Sequence, residues 1–393
     1  MKVAAVIAEY NPFHNGHLYH LNETKRSGAS HIIAVMSGSF TQRGEPALFT
    51  KFKRASAAIK NGADLVIELP VRYSLSSSQH FAEGAISIIK SIGCVDLLSF
   101  GCECSDIGTL QNVVNAISDR SVLTLTKQYY QSGMKYPDAR SKALRDTGFS
   151  FASDILSGPN NLLAVEYLKA LGSGSIKPLA VKRIGSGHDD TEANAIPSAS
   201  FIRSAIRNNN TYSQYVPSNS VEIYSSAINA GQYYVESSLD LPLLFKLREL
   251  SRTQLCNITD CRDGLGDRIF NASRSAGSIS QLLQMSSTKR YTVSRIRRAL
   301  MNAFIGIKGY DFPPVPYARI LAIGPGGKDI LNRMKHTCSI PFSGSFKYLL
   351  DSSGSSGAEL LSEEARATDI HSLLLDTIGS CGTDYSSKLI NGV

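Results

Sequence analysis

The sequence predicts a doubly wound α/β domain, a parallel sheet covered by helices on both faces, followed by a mainly helical region. Three observations carry this. Short apolar runs alternate with helical stretches over the first 200 residues; the runs are unbroken rather than alternating; and helices replace strands after about residue 210. A strand buried on both faces reads as a continuous apolar run, and helices between strands supply the crossovers that parallel pairing requires.

The elements follow in order. VAAVIA (residues 3–8) and HIIAVM (31–36) read as buried strands, as do DLVIEL (64–69), VDLLSFG (95–101) and residues 179–181. Residues 16–27, 51–61, 80–92 and 161–171 place apolar side chains at helical spacing between them. The Asn208–Asn210 run and the serine-rich stretch to residue 226 mark a boundary, so residues 1–212 form one unit and 213–393 a second. In the second, 239–253 and 291–307 read as helices. A small α/β unit lies near 316–345, with strands at 318–323 and 339–342 around a helix at 328–335. DSSGSSG (351–357) has the composition of a flexible linker.

Composition sets outer limits. The chain has 393 residues, 42% hydrophobic and 19% charged, enough apolar side chains for a sizeable core and inconsistent with wholesale disorder. Seven scattered cysteines do not make a disulfide framework. No run of 18 apolar residues appears, and the N-terminal segment turns polar after eight residues, too soon for a signal peptide or membrane span. The expectation is a cytoplasmic protein without a membrane partner. A net charge of +8 suits an anionic partner without naming one.

The segment most able to carry chemistry is AEYNPFHNGHL (residues 8–18), which leaves the first strand and opens the first helix. His14 and His17 are three apart and share a side of that helix start. Gly16 allows close backbone approach. The free N–H groups at a helix N-terminus bind phosphate, and imidazoles add donors where negative charge builds. A zinc site is disfavoured, because no cysteine or acidic residue lies at ligand spacing. GPGGK (324–328) lacks phosphate-loop spacing and reads as a turn.

The H-x-G-H spacing after strand one resembles the signature of the nucleotidyltransferase superfamily, a Rossmann-like fold. IPSASFIR (196–203) resembles the S/T-x-x-I-R element of the same superfamily. That resemblance implies that Ser198 or Ser200 caps a helix and donates to phosphate, while Arg203 neutralises the β- and γ-phosphates. More specifically, EYNPFHNGH (9–17), SGSFTQRGEPALFTKFKRASAAIKNGADLVIELP (37–70), SFGCE (99–103), GPNNLLAVEYL (158–168), KRIGSGHD (182–189), TKRYTVSRIRRAL (288–300) and ATDIH (367–371) resemble the bacterial tRNA(Met) cytidine acetate ligase family nearly end to end. Phe52, Ser200 and His371 stand where tryptophan, threonine and tyrosine are expected, and none of these removes a charged or catalytic group.

The resemblance implies that ATP, with Mg²⁺ as its expected companion, and acetate form acetyl-adenylate. The acetyl group then passes to the exocyclic amine of the wobble cytidine of elongator tRNA(Met). It assigns His14, His17 and Arg203 to catalysis. It assigns the nucleotide to Ile7, Ala8, Glu9, Tyr10, Asn11, Pro12, Phe13, His14, Asn15, Gly16, His17 and His20, together with Gly101, either Asn160 or Asn161, and Arg183 with Ile184. In the loop after the second strand, Arg43 or Lys51 could steady acetate, although Gln42, Arg43, Glu45, Lys51 and Arg54 fit a solvated loop equally well.

The segment 288–300 carries Lys289, Arg290, Arg295, Arg297 and Arg298, five cations with no acid, the footprint of phosphate-backbone contact. Val293, Ile296, Leu300 and Ala303 are expected to anchor this helix with its arginines outward. Two other functions compete. A small-molecule adenylyltransferase, of the pantetheine phosphate or nicotinate mononucleotide type, would share HNGH and IPSASFIR without a long helical extension. A non-catalytic RNA-binding protein would have no use for an intact His14, His17 and Arg203.

Overall fold

The computed structural model describes residues 1–183 and 197–392. Its centre is one eight-stranded sheet: β1 (Val3–Ala8), β2 (His31–Ser37), β3 (Leu65–Leu69), β4 (Leu97–Cys102), β5 (Lys177–Lys182), β6 (Ala318–Ile323), β7 (Phe342–Ser343) and β8 (Ile390–Asn391). The order is β5-β4-β1-β2-β3-β6-β7, with β8 paired to β6. The first five strands are parallel and β6 runs antiparallel to β3. The chain steps outward from β1 to β3 and then returns to the other side of β1 for β4. Doubly wound sheets open a ligand crevice where the strand order reverses in this way.

Side chains alternate between the two faces of the buried strands. Ile33 and Val35 pack towards Phe81, Ile86 and Val165 on one face. Ile32, Ala34 and Met36 pack towards Leu48, Ala55 and Ile59 on the other. Both faces are covered, so the strands need no polar side, which is why they are legible as apolar runs. The connection from β4 to β5 holds four helices that the sequence reading did not assign, Ile107–Ser118, Arg120–Gln131, Tyr136–Asp146 and Ser150–Ile155, before Pro159–Leu171.

Several elements differ from expectation. The serine-rich stretch expected as a boundary contains the helix Ser218–Asn229, which packs on Lys51–Lys60 of the sheet domain. Tyr224 stacks on Phe49 with ring centres 4.6 Å apart, and Ser220 Oγ accepts from Asn61. Serines here are tolerated because the helix buries Ile223, Tyr224 and Ala227. The strand expected in a separate unit, Ala318–Ile323, joins the main sheet through β3. The expected linker is helical: Phe346–Ser352 and Gly354–Leu373 meet at Gly354, whose φ of +67° turns the chain. The expected helix over 239–253 breaks into Asp240–Glu249 and Arg252–Cys256, because Ser251 and Gln254 form a capping box. GPGGK is a turn over 324–326 and opens the helix Gly327–Thr337 with its last two residues; Gly324 and Gly326 donate N–H groups to the Asp64 carbonyl and carboxylate, the latter at 3.0 Å.

One buried ion cluster ties the C-terminal elements to the sheet. Lys51 Nζ lies 2.6 Å from Glu68, 3.2 Å from Glu364 and 2.8 Å from Asp384. Arg319 Nη1 pairs with Glu68 and Nη2 with Asp384, each at 2.8 Å. Two cations face three carboxylates away from water, leaving one negative charge in excess. Burial pushes the Glu364 carboxyl up to about 8, aided by Glu68 beside it, so this carboxyl carries the balancing proton. Asp384, held by both cations, is pulled down to about 2 despite its burial.

Because the folded protein keeps on Glu364 a proton that the unfolded chain sheds above its ordinary value of 4.5, that contribution is complete below pH 4.5 and is lost as pH rises through about 8. Glu364→Gln is therefore expected to flatten the decline in melting temperature between pH 5 and 8. Lys51→Met, which strands the acids, is expected to cost about 3–5 kcal/mol in urea unfolding.

Candidate active site at the sheet switch point

The turn from β1 into the helix Asn15–Arg26 forms the heart of the site. Tyr10 adopts φ +47°, uncommon for a residue with a side chain and of a kind found where surrounding structure imposes it. The next residues brace the turn. Asn11 Oδ1 accepts from Leu48 N at 2.7 Å, the Asn11 carbonyl accepts from Arg203, and Phe13 N donates to Tyr224 Oη at 2.9 Å. Asn11, Pro12 and Phe13 are buried supports and do not line the crevice. Asn15 points elsewhere, donating to the Gln214 carbonyl.

His14 is the N-cap of this helix. Its Nδ1 accepts from Gly16 N at 3.0 Å, and His17 Nδ1 accepts from His14 N at 3.2 Å. The two imidazoles reproduce a capping box usually built from Ser and Glu. The arrangement determines the tautomer: a ring nitrogen that accepts an N–H carries no proton, so each proton sits on Nε2. The rings stack with centres 3.8 Å apart. Burial lowers His14 to about 3, with Arg183 and Arg203 adding repulsion, and depresses His17 as well. Both are neutral donors at physiological pH. His20, lowered by burial to about 4, is tied through Nε2 to Ser99 Oγ at 2.9 Å.

These residues line a crevice of about 310 Å³ between the β1 turn and the carboxyl ends of β4 and β5. Of the residues expected to hold nucleotide, Ile7, Ala8, Glu9, Tyr10, His14, Gly16, His17, His20, Gly101, Asn160, Arg183 and Ser198 line it. A Cβ at Gly101 would make only ordinary contact, 3.5 Å from the Arg183 side chain, so the protein itself does not demand glycine there. The missing side chain leaves room in the crevice.

The structure separates the two asparagines. Asn160 lines the crevice beside Glu103, at 2.6 Å, whereas buried Asn161 donates to the Ile155 carbonyl and accepts from Cys104 N. One residue round a helix is about 100°. Asn160, Leu163 and Tyr167 share the crevice face at i, i+3 and i+7, a periodicity that could have identified Leu163 and Tyr167. Phe81, Phe100 and Val181 were also missed, since an apolar pocket wall has no signature apart from core. Ile184 lies outside the described residues.

Ser198 caps the helix Ala199–Arg207, accepting from Phe201 N. Ser200 does not line the crevice, but its hydroxyl meets that of Ser198 at 2.9 Å. Arg203, expected at the β- and γ-phosphates, does not line the crevice: it lies behind the β1 turn, donating to the Asn11 carbonyl at 3.0 Å and lying 3.5 Å from Glu45. Gln42 and Arg43 line the crevice. Lys51 and Arg54, considered for a solvated loop or an acetate site, are instead completely buried; Arg54 donates to the carbonyls of Phe49, Glu9, Ser37 and Gly38. Lys51 belongs to the ion cluster and is unavailable to acetate.

The basic segment is less open than expected. On the helix Val293–Ile305, Arg298 is 7% exposed and pairs with Asp260 at 2.8 Å, and Arg295 pairs with Asp263 at 3.1 Å and donates to Tyr130. Arg297 pairs with Glu45. Ile296, Leu300 and Ala303 are buried anchors, but Val293 is 51% exposed. Acids from the preceding loop and the Glu45 loop claim the arginines, a pairing invisible to charge counting. Lys289 is exposed, and the Arg290 guanidinium lies 5.7 Å from the Tyr130 ring centre.

Residues 1–383 match the model of the HIGH Nucleotidyl Transferase family. A tRNA(Met) cytidine acetate ligase of Acetivibrio thermocellus is 39% identical over 362 residues, covering 87% of each chain. Another, of Clostridium acetobutylicum, is 36% identical over 99% of this chain and 100% of its own. The chain belongs to the tRNA(Met) cytidine acetate ligase family. The crystal structure of Thermotoga maritima TmcAL bound with alpha-thio ATP superposes with a TM-score of 0.91 at 29% identity, covering 100% of this chain and 99% of that one. The apo form of the same Thermotoga protein gives 0.91 at 30%. The likeness to these ligases therefore includes the helical half, which a nucleotide-binding fold alone would not require. Among the described residues, no helix is long and apolar enough to cross a membrane.

Asparagine is a good N-cap and alanine is not. His14→Asn is expected to retain the wild-type unfolding free energy, while His14→Ala loses about 1 kcal/mol by urea denaturation.

Proposed function

We propose that this protein is an ATP-dependent ligase that activates acetate as acetyl-adenylate and acetylates the wobble cytidine of elongator tRNA(Met). The observation that carries the reading is the pair of neutral imidazoles at a helix N-terminus in the switch-point crevice. A helix start with Nε2–H donors suits a polyphosphate, and the apolar walls contributed by Phe100, Leu163 and Tyr167 suit an adenine ring. The ligase names of relatives that align over most or all of the chain support the specific reaction. A small-molecule adenylyltransferase accounts for HNGH and IPSASFIR but not for the shared helical half.

In the first step an acetate oxygen bonds to the α-phosphorus while the bond to the β-phosphate bridging oxygen breaks, releasing pyrophosphate. Such a step needs alignment and charge stabilisation rather than a protein nucleophile. His14 and His17 donate to phosphate oxygens without titrating, since both remain neutral through the working range. Arg183, which lines the crevice, and Arg203, which acts on His14 from behind the β1 turn, supply positive charge in this reading. In the second step the cytidine amine attacks the acetyl carbonyl, the carbon–oxygen bond to AMP breaks, and the amine loses a proton. Glu9, whose carboxyl is raised by burial, lines the same crevice and is its carboxyl group available for proton transfer in this reading.

The crevice residues do not make a Mg²⁺ cage. Imidazole and guanidinium are not hard-oxygen ligands, and the Glu9 carboxylate already accepts from Gln42 N at 2.8 Å. Mg²⁺ in this reading is brought by the triphosphate.

Labelled acetate, ATP and tRNA(Met) incubated with the protein should yield labelled tRNA and pyrophosphate; absence of label in tRNA, with pyrophosphate formed only on another acceptor, would overturn the reading. His17→Ala is expected to lower adenylate formation by about 10²–10³-fold, read as pyrophosphate release without tRNA. Because Arg295 and Arg298 are paired with acids, Lys289 and Arg290 are the phosphate contacts in this reading. Lys289→Ala with Arg290→Ala should reduce the salt slope of tRNA binding by about two, whereas Arg298→Ala should chiefly lower stability, by roughly 1–3 kcal/mol, by stranding Asp260.

A further inference from the structure

Glu45 lies outside both the crevice lining and the segment 288–300, yet its carboxylate reaches Arg203 and Arg297. One oxygen pairs with Arg297 on the Val293–Ile305 helix, and the other lies 3.5 Å from Arg203 behind the nucleotide turn. The loop carrying Glu45 has little freedom. Gly44 N donates to the Thr41 carbonyl, while Thr41 N and Oγ1 both donate to the Glu45 carbonyl, at 3.0 and 3.1 Å. Gly44 has φ +77°, and a Cβ there would lie 2.5 Å from Arg298 N, so the turn rests directly on the helix backbone. With its backbone held, the half-buried carboxylate has two guanidinium groups within reach, those of Arg297 and Arg203.

The three arginines of the helix differ in what neutralises them. Arg295 and Arg298 are served by Asp263 and Asp260, which precede them in the same helical region. Arg297 is served by Glu45, and its side chain is 40% exposed. It is the arginine on this helix best placed to exchange its carboxylate for a nucleic-acid phosphate. When that happens, Glu45 is left with Arg203 alone.

We propose that Glu45 is a positioning residue that couples nucleic-acid binding at Arg297 to the hold on ATP at Arg203, by sharing one carboxylate between them. A phosphate on Arg297 releases Glu45 to neutralise Arg203, and the grip on the triphosphate loosens. By linkage, ATP weakens tRNA binding by the same factor. The device favours tRNA once the triphosphate has been spent. The inference rests on the proposed roles of Arg203 and of tRNA.

The test measures the dissociation constant of α,β-methylene ATP by calorimetry, with and without saturating tRNA(Met) transcript. In the wild type, tRNA should weaken analogue binding by about five- to tenfold. Arg297→Ala should show that weakened affinity without any tRNA, although the residue lies outside the ATP crevice. Glu45→Gln should bind the analogue equally with and without tRNA, a ratio that general loss of stability would not alter. A tRNA effect in Glu45→Gln as large as in wild type, no tRNA effect in wild type, or wild-type affinity in Arg297→Ala would each overturn the coupling. Arg203→Ala separates the levels: normal analogue binding there refutes the role of Arg203 itself, whereas lost binding there with wild-type affinity in Arg297→Ala refutes only the coupling.

Discussion

The architecture depends on an ion cluster sealed inside the protein, two cations against three carboxyl groups of which one keeps its proton. Lys51 and Arg319 face Glu68, Glu364 and Asp384, and these five residues come from a helix start, two antiparallel neighbours in the sheet and two C-terminal helices. No part of this cluster can leave without stranding the others in a low-dielectric interior, where an unpaired charge is costly. It therefore fastens the last seventy residues to the domain formed by the first hundred. The ATDIH segment completes the fastening: Thr368 lies 3.4 Å from Ser39 Oγ, and His371 Nε2 meets the Ala47 carbonyl at 2.7 Å. Both contacts brace the loop that carries Gln42, Arg43 and Glu45.

At the crevice the controlling interaction is smaller. Two backbone N–H groups donate to two imidazole Nδ1 atoms and so set which nitrogen of each ring bears hydrogen. The same side chains cap the helix and line the crevice. Burial keeps both rings uncharged, so their donors persist without added positive charge, and the cationic contribution is left to Arg183 and Arg203. Packing outside the crevice holds the turn in place, through Leu48, Tyr224 and Arg203, at a backbone angle that Tyr10 would not adopt alone.

The two halves meet through shared side chains rather than through a simple linker. Tyr130, from the helices inserted between β4 and β5, touches Asp263 and Arg295 of the helical region. Glu45, from the loop after β2, touches Arg297. The basic segment is thus tied by side-chain contacts to the helices between β4 and β5 and to the loop after β2.

The sequence alone determined the doubly wound core and the family, and it pointed to the segment that lines the crevice at the end of the first strand. Strands buried on both faces are largely apolar runs, and HNGH must follow a strand and open a helix for its imidazoles and N–H groups to converge. Tertiary structure decided what depends on distant partners. Lys51 and Arg54 resemble a solvated loop until carboxylates and carbonyls from elsewhere surround them. Asn160 and Asn161 are equivalent in composition until helix rotation turns one to the crevice and the other into the core. The arginines of residues 288–300 look like a bare cationic stripe, yet Asp260, Asp263 and Glu45 lie 32 to 252 positions away in the chain and neutralise them in space. Local patterns record which face a residue prefers; only the packed chain determines which charge stands opposite it.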